Sequence, residues 1–359
     1  MNKGIKIVLS GVGNRALPKK KENSNWHGWV DLVAKSADFD LVAAHDVSEG
    51  AVRRIVDRGY LSPAQTYRDL NSMLKEVSCD AILITNPAEY HAATIFTAIE
   101  NNLHILVEKP FVNDLAEGRR IVELIETKGI ISAVVQNWRT KNVGRLLYEA
   151  IQGELIGRVG HIFFRYIRDR ENPNYPPYIF EEQYPLLYAM GIHHLDLFRY
   201  ILQSEYESVS GHSFKPPWSL YKSDTGLNLF LKMKNDVAVT YTGTISSRNS
   251  IIMQESLIVE GEKGTLVNES QWLEPPLWFY PRGAKERINL TEGLAETSVA
   301  DQYNISDKWI LDNFSDGIMR RGKIICDAAD ALRSIAALEA SKTACETGRT
   351  VYVEEFLQS

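Results

Sequence analysis

The chain has 359 residues, a length at which one hydrophobic core has usually stopped growing, so two domains are expected. Hydrophobic residues make up 44% and charged residues 24%, a globular balance that excludes a disordered or fibrous chain. The formal net charge of −6 argues against nucleic acid or an anionic membrane as partner, because both reward a basic surface. Cys79, Cys326 and Cys345 are odd in number, far apart and without CxxC spacing. Neither a disulfide framework nor a zinc site is expected, and the count suits a reducing cytoplasm.

In chain order, Ile5–Leu9 is a compact β-branched run ending at Ser10-Gly11, which predicts a buried strand. It is too short for a signal peptide's apolar region or a membrane span. Trp29, Leu32 and Val33 at helical spacing predict a helix around 26–36, after an insertion at Leu17–Asn25. Strand Leu41–Ala44 ends at Asp46, and 50–58 and Leu70–Val77 read as helical. Strand Ala81–Thr85 stops at Asn86-Pro87, helix Ala92–Asn101 follows, and strand Ile105–Val107 stops at Glu108-Lys109-Pro110. Helix 114–128 ends at Gly129, and strand Ser132–Gln136 closes the series. Short apolar runs alternating with amphipathic ones predict βαβ units around a parallel sheet, the doubly wound α/β arrangement, over 1–138.

Past the helical stretch 142–152 the texture changes. Runs at 160–169, Asn228–Met233, Val237–Thr244 and Ser256–Glu260 predict strands following strands, hence an α+β domain over 139–359 with a large, mostly antiparallel sheet. Residues 172–185, rich in proline and aromatics, predict a long ordered loop. Alanine-rich 327–347, with Ala331, Ile335, Leu338 and Cys345 on one stripe, predicts a helix ending at Gly348.

Gly11-Val12-Gly13-Asn14-Arg15-Ala16 directly follows the first strand. In a dinucleotide site the first glycine makes the tight turn, the second lets backbone approach the pyrophosphate, and the third position stays small for packing. Asp46 at the end of the second strand can accept hydrogen bonds from ribose hydroxyls and would repel a 2′-phosphate, which favours NAD without excluding NADP. Lys19, Lys20 and Lys21 in the insertion oppose that reading only if they reach a phosphate; a solvated loop is the simpler account. Lys109 sits at the C-terminal edge of a parallel strand, where it can orient a substrate hydroxyl, stabilise alkoxide and relay a proton. His193 and His194 open a helix; one can act as acid/base or bind a hydroxyl, but adjacent helical residues cannot face the same way. His-His-x-Asp lacks the i, i+4 spacing of a metal pair, so no metal is expected.

These motifs in this order resemble the Gfo/Idh/MocA oxidoreductase family. The likeness also includes Thr85-Asn86-Pro87 with His91, Gly153-Glu-Leu-Ile-Gly157, Gly191-Ile192-His193 with Asp196, and Glu260-Gly261-Glu-Lys-Gly264. The resemblance implies a Rossmann domain, an open-sheet domain that often forms a homo-oligomer (dimer or tetramer), and hydride transfer between NAD(P) and a sugar, polyol or similar compound. It places the cofactor against Gly11, Gly13, Asn14, Arg15, Asp46, Asn86, Pro87, His91, Glu108, Lys109 and Asn137. Lys109 matches the family's catalytic lysine and His193 its catalytic-site histidine. The family commonly carries an aspartate four residues before that histidine, where this chain has Ala189. Tyr188 or Tyr184 can supply a hydroxyl in its place, and His194 can share the task.

Tyr178 and Tyr184 of the 172–185 loop, with Tyr175, Glu181 and Glu182, suit a polyhydroxylated ligand. Arg165, Arg168 and Arg170 would instead suit a carboxylate or phosphate on the substrate. Two further functions compete with a dehydrogenase: cleavage of a glycosidic bond through transient oxidation, and a non-catalytic NAD-binding regulator. Retention of both Lys109 and His193 favours an enzyme.

Overall fold

The computed structural model describes residues 4–19, 26–248, 254–294 and 298–358. The chain divides into two compact units, and the first comprises Met1–Thr140 with Ala300–Leu332. It alternates β1 (Ile5–Ser10), α1 (Gly28–Lys35), β2 (Phe39–His45), α2 (Glu49–Asp57), β3 (Thr66–Tyr67), α3 (Leu70–Glu76), β4 (Ala81–Ile84), α4 (His91–Glu100), β5 (His104–Val107), α5 (Leu115–Lys128) and β6 (Ser132–Val134). The strands form one parallel sheet in the order β3-β2-β1-β4-β5-β6. Strand order reverses between β1 and β4, the point at which open α/β sheets bind ligands.

Local signals start and stop these helices. Asp69 and Asp114 each accept a backbone N–H at 2.8 Å as caps of α3 and α5, worth about 1 kcal/mol apiece. Gly129 closes α5 at φ 63°, a conformation that favours glycine. Leu17 donates to the Gly13 carbonyl at 2.9 Å, and Trp29 and Val30 then reach back to the carbonyls of Arg15 and Ala16 at 3.4 and 3.0 Å. The start of α1 thus bonds back across the insertion to the turn that precedes it. Lys19 is exposed, while Lys20 and Lys21 lie outside the described residues.

The second unit comprises Lys141–Val299 with Arg333–Ser359. It contains α6 (Asn142–Gln152), β7 (Val159–Ile167), α7 (Ile192–Leu202), β8 (Tyr206–Phe214), β9 (Gly226–Met233), β10 (Ala238–Thr244), β11 (Gln254–Gly261), β12 (Gly264–Asn268), β13 (Trp278–Pro281) and β14 (Ile288–Asn289). Two long helices follow, α8 (Val299–Ile318) and α9 (Ala328–Thr347), then β15 (Val351–Tyr352) and α10 (Glu355–Gln358). Nine strands form a sheet ordered β14-β13-β12-β11-β7-β10-β9-β8-β15, in which β7 and β10 pair in parallel and the other pairs are antiparallel. The expected α+β sheet domain is thus present. The 172–185 loop holds a short 3₁₀ turn, Pro177–Glu181.

Alternation along β7 decides which side chains meet the core. Ile162, Phe164 and Tyr166 are buried, whereas Phe163 and Arg165 are exposed on the opposite face. The buried face carries α7: the rings of Phe164 and Tyr166 lie 4.6 and 4.9 Å from His194, and Tyr206 donates to the Leu195 carbonyl at 2.9 Å.

Helix α8 was not anticipated from sequence. From Ala300 onward it belongs to the first unit, so one boundary between 138 and 139 does not describe the chain path. Ile310, Leu311 and Phe314 complete the core around Ile5, Ile7 and Phe39, with Phe314 stacked on Phe39 at 6.0 Å. Among the described residues no helix is long and apolar enough to cross a membrane.

Candidate functional site

At the C-terminal edge of the parallel sheet, the β1 turn, the end of β2, the β4 turn and the first turns of α4 enclose a cleft of about 690 Å³. Seven of the expected cofactor residues line it: Gly11, Gly13, Asn14, Arg15, Asp46, Asn86 and Pro87. Gly11 has φ 94°, and a Cβ there would stand 2.5 Å from the Asn86 nitrogen, so the turn admits only glycine. A Cβ on Gly13 would meet nothing within 4 Å, leaving room for close backbone approach. Asp46 accepts from the N–H of Val12 at 2.6 Å and of Ser48 at 2.8 Å, which fixes its carboxylate while each oxygen keeps a second acceptor position. Asn86 donates to Thr94 at 2.8 Å, and its buried Oδ1 has no partner among the described residues. The cleft therefore fits a dinucleotide: a glycine cradle, an oriented carboxylate and an unserved amide oxygen. His45, Val47, Leu70, Tyr90, Ala93 and Thr97 also line it. Sequence reasoning missed them because none stands in a motif that marks it as part of a cleft.

Four expected cofactor residues do not line this cleft. His91 is buried, with Nδ1 2.7 Å from the Pro110 carbonyl oxygen and Nε2 3.0 Å from that of Asn86. It ties the cleft wall to the chain beside Lys109. Burial holds its pKa below the ordinary histidine value, against the opposing pull of both carbonyls and of Glu108. Glu108 is buried, accepting from Trp29 Nε1 at 2.7 Å and pairing with Arg15 Nε at 2.5 Å. Arg15 also donates both terminal nitrogens to Asp307 of α8, at 2.7 and 2.9 Å, and Asn137 bonds to the same carboxylate. Burial pushes the Asp307 carboxyl up while Arg15 draws it back; burial likewise opposes the Arg15 charge, but Asp307 and Glu108 prevail and raise its pKa. The rings of Trp26, Trp29 and Tyr303 stand 5.5 to 5.7 Å from the guanidinium. Arg15 thus links Glu108 to Asp307, which Asn137 also bonds and which sequence reasoning did not single out. Lys109 directly follows the β5 edge at Glu108, is half-buried, and forms a cis bond to Pro110.

In the second unit, α7 begins after a π-helical turn at Leu187–Gly191, which spans Tyr188 and Ala189 and runs straight into Ile192-His193. Such single π turns recur at functional sites. His193 is buried at 8% exposure. His194 corrects the expectation of substrate contact: it is fully buried against the sheet, with Nδ1 2.7 Å from the Tyr241 hydroxyl. Burial, seconded by the charge of Arg168, holds its pKa well below the ordinary value. Tyr188 donates to Glu339 of α9 at 2.6 Å, and burial together with that carboxylate keeps its hydroxyl protonated. Tyr184, at φ 45°, is surrounded by Ser213, Asp224, Cys345 and Glu346, and Tyr178 is 70% exposed. Arg165 is on the outer face of the sheet, opposite the α7 side, which removes it from any pocket shared with His193. Among the described residues no cluster of three His, Cys, Asp or Glu could hold a metal.

A glycine turn and an oriented carboxylate at the switch point of a parallel sheet, joined in one chain to a second α/β unit, define an NAD-binding oxidoreductase of two-domain build. The model of the oxidoreductase family's NAD-binding Rossmann fold matches residues 5–136, and that of its C-terminal alpha/beta domain matches residues 149–354. The chain belongs to the Gfo/Idh/MocA oxidoreductase family. It is 27% identical to myo-inositol 2-dehydrogenase of Thermotoga maritima over 48% of this chain and 50% of that one. Against D-apiose dehydrogenase of Paraburkholderia graminis it is 23% identical, over 90% and 85% of the two chains. An Agrobacterium radiobacter oxidoreductase, solved in complex with NAD+, L-tartaric acid and magnesium, superposes with a TM-score of 0.84 at 17% identity, covering 99% of this chain and 100% of that chain. At that identity the likeness speaks for the fold.

Proposed function

We propose that the protein transfers a hydride between NAD and the hydroxyl or carbonyl carbon of a sugar, polyol or related compound, with Lys109 and His193 sharing the proton relay. The observation that carries this reading is the placement of Lys109: it lies two residues past the end of β5, on the edge of the sheet that forms the glycine cleft. The names of the inositol and apiose dehydrogenases support the substrate class. When bound, the nicotinamide supplies the hydride acceptor or donor. The protein's part is protonic and electrostatic. In reduction the Lys109 ammonium donates its proton to the substrate oxygen and His193 resupplies it. In oxidation the neutral Lys109 amine takes the hydroxyl proton and hands it to His193. Tyr188 fits an orienting role better than a relay, because its hydroxyl is held by Glu339 at 2.6 Å. Asp46 favours NAD over NADP. Three free thiols suit a reducing cytoplasm. The outer sheet face, with Phe163 at 42% and Phe230 at 62% exposure, suits a second copy of the chain as cover.

Lys109→Ala tests the centre of this reading. The expected result is a loss of about 10³-fold in kcat, with NADH binding, read by its fluorescence, changed by less than about tenfold. Full turnover in the variant would move the chemistry elsewhere.

A further inference from the structure

Three arginines lie near the end of β7, and the structure separates them. Arg165 is exposed on the outer face and Arg170 is exposed, whereas Arg168 is only 3% exposed and lies on the side of the sheet that bears α7. Its guanidinium is held between aromatic rings, 5.2 Å from the centroid of Tyr166 and 5.4 Å from that of Trp272. One nitrogen, Nη2, donates to Glu255 at 2.8 Å. Glu255 also accepts the backbone N–H groups of Trp272 and Leu273 at 3.0 and 3.2 Å, so it is well served apart from the arginine. Arg168 Nε and Nη1 make no hydrogen bond to any other group among the described residues, and the adjacent buried hydroxyl of Tyr166, which interacts with the guanidinium, offers its own O–H to none of them. Buried donors are almost always satisfied in native proteins, and charged ones carry the largest penalty when they are not. Here several such donors occur on one fixed guanidinium and its neighbouring phenol, and Tyr166 packs on His194, the residue after His193.

We propose that Arg168 and Tyr166 form a carboxylate subsite, making the substrate a polyhydroxylated acid, a sugar acid rather than a neutral polyol. This rests on the dehydrogenase reading above and narrows its substrate class. Two guanidinium N–H groups and a phenol match the acceptors of one singly charged carboxylate. A phosphate dianion fits less well, because it brings two negative charges to a guanidinium already paired with Glu255, where a carboxylate brings one. Lys141, the other buried cation here, donates to the Trp272 carbonyl and faces Glu274.

The test titrates the full-length protein with NADH bound, using D-galacturonate, D-gluconate and L-tartrate against D-galactose, sorbitol and threitol. Inorganic phosphate and acetate serve as competitors. NADH formation from the same compounds is followed separately. At least one acid should bind about thirtyfold or more tighter than its neutral counterpart. That preference should fall by about thirtyfold or more, to near parity, in Arg168→Gln, as expected when one partner of a buried charge pair is removed. Arg168→Gln leaves Glu255 buried without its partner, so Arg168→Gln/Glu255→Gln, which removes both charges, is measured beside it and should behave alike. Equal binding of acids and neutral sugars, no detectable acid binding, a preference that persists in both variants, or stronger competition by phosphate than by acetate would each overturn the proposal. NADH formed from neutral polyols without acid preference keeps the dehydrogenase reading and sinks the subsite. Acid binding that depends on Arg168, with no NADH formed from any compound, keeps the subsite and sinks the reaction.

Discussion

Asp307→Asn removes one charge from the buried network that fixes the glycine turn. The Asp307 side chain has no exposure, and it binds both terminal nitrogens of Arg15 at 2.7 and 2.9 Å. Removing one member of a buried pair typically costs about 3–5 kcal/mol. Arg15 keeps Glu108 at 2.5 Å and is 23% exposed at its side chain, so the lower end applies and the expected loss is about 3 kcal/mol. For a unit of this size each kcal/mol lowers the melting temperature by about 2–4 °C, which gives a fall of about 6–12 °C. Thermal unfolding at neutral pH, followed by tryptophan fluorescence, is a direct assay because Trp26 and Trp29 lie against Arg15. A melting temperature within 1 °C of the parent would refute the keystone role of Asp307. In a double-mutant cycle with Arg15→Met, the combined loss should be clearly smaller than the two single losses added together.

Asp46→Ser should weaken NADH binding by about tenfold or more while bringing NADPH closer to parity, since one charged hydrogen-bond acceptor and one repulsion disappear together. Fluorescence titration with both cofactors decides it, and an unchanged NADH/NADPH ratio counts against Asp46 as the discriminator. Acid should destabilise the fold through its buried histidines. Burial lowers the folded-state pKa of His91, His194, His104 and His45, so below about pH 6.5 the unfolded chain binds more protons than the folded one. This contribution is complete above that value and is lost as pH falls through it towards the folded pKa values. Melting temperatures recorded from pH 8 to 5 should decline from about 6.5 downward, and a flat profile would contradict buried neutral imidazoles.

The parallel sheet was legible because its strands are short apolar runs that end at turn residues, and those ends hold the cleft. Gly11, Asp46 and Lys109 could be named for the same reason: a strand end has one address in a doubly wound fold. The burial of His194 was not legible, since sequence shows only that it and His193 diverge. Its partners Phe164, Tyr166 and Tyr241 place it in the core. In sequence Arg165 and Arg168 group with Arg170, and only the structure shows that they face opposite sides of the sheet and which side is covered. Asp307 gave no warning at all. A fully buried carboxylate makes sense only once Arg15, some 290 positions earlier, is known to meet it.

The spent charge of Arg15 bears on cofactor choice. Among residues lining the cleft, Arg15 is already balanced by two carboxylates, burial disfavours the charged form of His45, and Asp46 is the remaining charged group. A diphosphate entering this cleft must therefore be received chiefly by backbone N–H groups at the glycine turn, where Gly13 leaves open space. A further phosphate on the adenosine ribose would meet Asp46 with no uncommitted cation among the described lining residues. A preference for NAD would then follow from the two carboxylates that occupy Arg15, Asp307 and Glu108, as much as from Asp46. Asp307→Asn consequently predicts more than lost stability: a loosened Arg15 becomes available to an anion, and NADPH should gain on NADH in that variant, in the same direction as in Asp46→Ser.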